Sequence, residues 1–130
     1  MSTKYSVHIE KYVERHFIKS FEKKYRRAWD ITIETLIREF QSFDVLLTTT
    51  IAEMIVEVED IKICKVEFKV AGSNDSRHGS GNRCIVAIHK DKGIVNVLLI
   101  YHKKDIGDGN ETAKWKQLIK DNYPEYKDLL

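Results

Sequence analysis

Near Leu47 the spacing of apolar residues changes from a period of about 3.6 to a period of about 2, the marks of helix and of strand. Before that point Val13, Phe17, Phe21 and Tyr25 recur at four-residue steps, with Ile18 beside them. Lys19, Glu22, Lys23, Lys24, Arg26 and Arg27 fill the opposite face. Asp30 is placed to cap a second helix, whose stripe is Ile33, Leu36, Ile37 and Phe40. After that point Ala52, Met54, Val56 and Val58 alternate with Glu53, Ile55, Glu57 and Glu59. Cys64, Val66, Phe68 and Val70 alternate with Lys65, Glu67 and Lys69. Two amphipathic helices followed by short strands predict an α+β fold: an N-terminal helical hairpin packed on a twisted antiparallel sheet.

Turn residues divide the strand half. Glu59-Asp60 is a turn, Ala71–Asn82 is a loop rich in Gly, Ser and Asn, and Asp91-Lys92-Gly93 is a hairpin turn. Arg83–His89 and Ile94–Tyr101 are the next two strands, the last nearly continuous in apolar residues and therefore central. Tyr5–Glu10 reads as a short first strand. After the Gly107–Asn110 turn, Glu111–Asn122 is a last helix bearing Trp115, Leu118 and Ile119, stopped by Pro124.

Alternation assigns faces, since residues two apart on a strand share a side. The Cys64/Val66/Phe68 and Cys84/Val86/Ile88 sets face the helical hairpin. Lys65, Glu67 and Lys69 then share the opposite face with Arg83 and His89. If Val95, Val97, Leu99 and Tyr101 also face the hairpin, His102 emerges beside Arg83. A one-residue bulge would invert that last placement.

The chain has 130 residues, 42% hydrophobic and 32% charged, as expected for one globular domain. No apolar run approaches the ~20 residues of a membrane span, and the N-terminus lacks a signal-peptide core. These features predict a cytoplasmic protein with no membrane partner. Cys64 and Cys84 lack metal-ligand spacing and read as buried thiols, so neither a metal nor another cofactor is expected.

Charge is unevenly spread. Residues 62–104 hold nine Lys/Arg against three acids, whereas the whole chain carries +2. A basic sheet on a nearly neutral protein suits a polyanion, most simply a phosphate backbone, although a solvated charged face has the same composition. Cleaving RNA without metal needs a base, an acid and cations for the charge that builds on phosphorus. Arg83 suits a phosphate, and the imidazole of His102 is a candidate acid or base. Glu67 is a candidate base or the partner of a cross-strand ion pair.

Three segments together carry a resemblance: Lys65-Val-Glu-Phe-Lys69, Arg77-His-Gly-Ser-Gly-Asn-Arg83 and Leu98-Leu-Ile-Tyr-His-Lys-Lys-Asp105. With a helical hairpin before them, residues 5–106 resemble the RelE/ParE toxin superfamily, and most closely its HigB-like branch. The whole chain, 1–130, would then be a single RelE/ParE-like toxin domain, with residues 111–123 as a C-terminal helical extension. The resemblance implies the toxin of a type II toxin–antitoxin module, neutralised by a cognate antitoxin protein. Most members cleave mRNA on the ribosome; ParE-type members inhibit DNA gyrase. It implies catalytic roles for Arg83, His102, Glu67 and Tyr101, and RNA contacts from Lys65, Lys69, Arg77, His78, Lys103 and Lys104. A non-enzymatic protein of the same fold and a small RNA-binding module are the competing readings. A last helix folded over the basic face would favour the non-enzymatic one.

Overall fold

The computed structural model describes residues 4–107 and 109–130. It is an α+β domain around a mixed five-stranded sheet of order β1-β5-β4-β3-β2. The strands are β1 (Ser6–Ile9), β2 (Ala52–Val58), β3 (Ile61–Phe68), β4 (Asn82–His89) and β5 (Ile94–His102). The sheet is not antiparallel throughout, because β1 runs parallel to β5. That follows from the connection: β1 leads into a helical crossover, and a crossover is what a parallel neighbour requires.

The crossover begins with α1 (Lys11–Val13), a π-helical stretch (Glu14–Ile18) and α2 (Lys19–Tyr25). It returns as α3 (Arg27–Gln41) and ends in α4 (Phe43–Leu46). The two arms meet at Arg26, whose φ of 52° and ψ of −120° break the helix in a single residue. Its N–H closes the first arm on the Glu22 carbonyl, and its carbonyl accepts from Trp29 N–H to open the second. The second helix therefore starts before Asp30, which lies inside α3 rather than at its cap.

Both faces of the sheet are covered. On one, the hairpin's Phe21, Trp29, Leu36 and Phe40 pack on Val66, Phe68, Cys84, Val86 and Val97. Cys64 and Cys84 are fully buried there, and burial pushes the Cys64 thiol up to about 12. On the other face α5 (Glu111–Asn122) and a 3-10 turn (Pro124–Leu129) lay Trp115, Ile119, Tyr123 and Tyr126 on Ile63, Ile85, Ala87 and Leu99. Asn110 caps α5 by accepting from Ala113 N–H at 3.1 Å.

A bulge in β5 decides the faces. Ile85 is opposite Leu99, but Val86 is opposite Val97, so β5 holds one extra residue at Leu98. The face of every later β5 residue is inverted relative to simple alternation. Val95 and Val97 face the hairpin, as does Ile100, whereas Leu99 and Tyr101 face α5. A second bulge between Met54 and Val56 breaks the alternation of β2, and Met54 on this edge strand is 48% exposed. Among the described residues no helix is long and apolar enough to cross a membrane.

Candidate functional site

The residues singled out from the sequence separate into three groups. The first lies on the α5 face. Glu67, Arg83 and Tyr101 are opposite one another across β3, β4 and β5, so they share that face as alternation and the bulge require. Arg83 is only 4% exposed. Its guanidinium meets Glu67 Oε2 at 3.2 Å and donates to the Asn82 and His78 carbonyls at 3.0 and 3.1 Å. A fork so engaged, and shut off from solvent, is a cross-strand ion pair that also pins the loop before β4; it does not present itself to a phosphate. Tyr101 is fully buried and donates to Glu111 Oε2 at 2.8 Å. Burial, then that carboxylate, raises its pKa. Lys65 stands on the same face, within 4.0 Å of Glu53 on β2.

The expected meeting of Arg83 and His102 does not occur. His102 is opposite Asn82, not Arg83, and the β5 bulge puts it on the hairpin side. The predicted four-residue catalytic set of Arg83, His102, Glu67 and Tyr101 is therefore not assembled at one place: Arg83 and Tyr101 are buried on the α5 face, and Glu67 is taken up by Arg83 and His78.

The second group belongs to the loop of residues 71–81, which is tied down at several points. Arg77 donates from Nη2 to both Glu39 carboxylate oxygens, at 3.2 and 3.0 Å, fastening the loop to α3. His78 is exposed and its Nδ1 bonds Glu67 Oε2, the oxygen that Arg83 also holds. Ser80 Oγ accepts from Asn82 N–H. Lys69, past the end of β3, lines a cavity of about 150 Å³ with Thr32, Glu39 and Arg77 on the hairpin side. It does not share a face with Lys65, contrary to the alternation.

The third group surrounds a cleft where the ends of β4 and β5 meet the bend of the hairpin. Its main volume is about 370 Å³, with Lys24, Tyr25, Ser80, Asn82 and His102 on its walls. A narrower arm of about 50 Å³ adds Ser20, Phe21 and Asp105 to the Lys24, Tyr25, Asn82 and His102 set. His102 is half-buried. Its Nδ1 accepts from Lys104 N–H at 3.1 Å, which in the neutral ring leaves the proton on Nε2. Gly81 makes room for the ring: its φ is +78°, and a Cβ there would come within 2.6 Å of His102 Nε2. Lys103 N–H donates to the Gly81 carbonyl at 2.9 Å, joining the loop to the end of β5. Lys103 and Lys104 are exposed just beyond.

Lys24, Tyr25 and Asn82 were not among the residues expected to bind. Lys24 belonged to the polar side of a helix and Tyr25 to its apolar stripe. Asn82 did carry a signal, because it lies on the same parity as Cys84 and Val86, which puts an amide on a core-facing strand position. Among the described residues no three or more His, Cys, Asp or Glu side chains gather as they would around a metal. Comparison with protein-family models, curated proteins and solved structures returns no match.

Proposed function

We propose that the chain is the toxin of a type II toxin–antitoxin module with a RelE/ParE-like, HigB-like domain, and that it is an endoribonuclease cutting mRNA at the cleft beside His102. The single observation that carries the reading is the joining of the basic loop to the Tyr101-His102-Lys103-Lys104 end of β5, which gathers a histidine, lysines and a cleft at one place. The resemblance supports it.

The reaction that these residues suit is internal transesterification. The 2′-oxygen bonds to phosphorus, the bond to the 5′-oxygen breaks, and a 2′,3′-cyclic phosphate and a 5′-hydroxyl result. His102, presenting Nε2–H, is the donor toward the departing 5′-oxygen. Asp105, on the wall of the narrow arm, is the carboxylate placed to take the 2′-OH proton. Lys24 and the exposed Lys103 and Lys104 neutralise the charge on the phosphate.

The burial of Arg83 and Tyr101, with Glu67 held by Arg83, favours a second reading, a non-enzymatic protein of the same fold that inhibits gyrase or serves as a disarmed toxin. Expression in a bacterium separates the two. The enzymatic reading expects arrested growth with fragmented mRNA, relieved by His102→Ala and by co-expression of a cognate antitoxin from a neighbouring gene. Arrest with intact mRNA supports a gyrase inhibitor, unimpaired growth leaves only the disarmed toxin, and either outcome overturns the enzymatic reading.

A further inference from the structure

The cleft contains a polar atom that the fold leaves unsatisfied. Asn82 is 4% exposed, and its Oδ1 is buried with no hydrogen-bond partner among the described residues. Such a group costs about 1–3 kcal/mol when left bare. Its neighbours across the sheet, Phe68 and His102, frame it without bonding it. Tyr25, which lines the same cleft, is partly exposed; its ring stacks with Phe21, and Lys24 Nζ lies 5.2 Å from its centre. Asn82 with its unsatisfied acceptor, the Tyr25 ring, Lys24 and His102 thus line one space of about 370 Å³.

We infer that this cleft binds a single unpaired nucleotide of an RNA strand. The base lies against Tyr25 and gives an N–H of its edge to Asn82 Oδ1, while its phosphate is held by Lys24. Each part answers a feature of the walls: unstacked bases are recognised by stacking on aromatic rings together with hydrogen bonds to their edges. A duplex cannot present a base in this way, so the ligand is single-stranded. The inference rests on the RNA-directed reading above and adds which nucleotide-sized site holds the strand and with which side chains. It places that site on the hairpin side of the sheet, away from Arg83.

The test uses the full-length protein, single-stranded RNA octamers and the four 5′-ribonucleoside monophosphates. Mononucleotides should shift the Tyr25 and His102 ring resonances and leave those of Tyr123 and Tyr126, on the far face, in place. Tyr25→Ala should weaken octamer binding about 5- to 100-fold, the range for loss of one stacked base. Lys24→Gln should lower the slope of log K against log salt by about 0.7, the value of one phosphate contact on a single strand. Asn82→Ala should weaken binding as well, and partly exposed Tyr25 and exposed Lys24 keep the test readable should that variant fail to fold. Ring resonances that do not respond, or octamer binding and salt slope unchanged in both the Tyr25 and the Lys24 variant, overturn the inference. Nucleotide binding without RNA cleavage or toxicity would remove the enzymatic reading and leave this site standing. Cleavage and toxicity that persist in Tyr25→Ala with unchanged affinity would do the reverse.

Discussion

An arginine opposite a glutamate on neighbouring strands can look outward to a ligand or inward to its partner, and the sequence allows both. Arg83 and Glu67 look inward, with 5% and 19% of their side chains exposed. A pair withdrawn this far from water contributes little net stability, but removing one member leaves a buried charge alone. Glu67→Ala and Arg83→Ala are each expected to lose about 3–5 kcal/mol in denaturant unfolding. The double variant should lose clearly less than the sum, because the second removal relieves the first. Full stability in Arg83→Ala, the outcome that a solvent-facing arginine would give, would contradict the assignment. The pairing was legible as a possibility from strand parity alone. The depth of burial was not, since it depends on a helix that follows in sequence and packs over the same face.

Among the elements, strand limits and the last helix are close to what alternation and turn residues indicate; Glu111–Asn122 is reproduced to the residue. The β5 bulge was not legible. Val97-Leu98-Leu99-Ile100 is apolar at every position, so an inserted residue changes no pattern, yet it moves His102 to the other face. The start of α3 was missed for a different reason: Arg26 takes a positive φ that its side chain does not advertise. The C-terminal segment is fastened by a small polar network that titrates. Asn96 Nδ2 donates to Tyr126 Oη at 3.2 Å, and His89 Nε2 is hydrogen-bonded to the same hydroxyl, 2.6 Å away. Burial, then the charge of Lys92, lowers the His89 pKa. The unfolded chain therefore binds this proton more readily than the folded one. The contribution is complete above the unfolded value of about 6.5 and is lost as pH falls through it toward the lower folded value. The urea midpoint of the native chain should drop between about pH 7.5 and about pH 5 by more than that of His89→Gln, which keeps a side-chain acceptor but no titration. Equal drops would remove His89 from the account.

In the whole molecule, a sheet covered on both sides leaves its end, and not its face, as the place for chemistry. The excess of cations between residues 62 and 104 suggested a basic face, but Lys62 and Lys65 are near Glu57 and Glu53 of β2, and Arg83 is sealed by Glu67. The cations left in solvent near the cleft are those of the hairpin bend and of the chain beyond β5. Composition could report the charge; only the topology, which brings residue 24 beside residues 82 and 102, could report the site.

The most direct test of that placement is cleavage of a single-stranded RNA by the purified protein, in the presence of a chelator, with His102→Ala and Tyr101→Phe measured beside the native chain. The account predicts that His102→Ala loses about 10²–10⁴ in rate, the span of a general acid or base, and that Tyr101→Phe, altered only beneath α5, stays within a few-fold. Cleavage that survives His102→Ala and is abolished by Tyr101→Phe would put the chemistry on the closed face and contradict it.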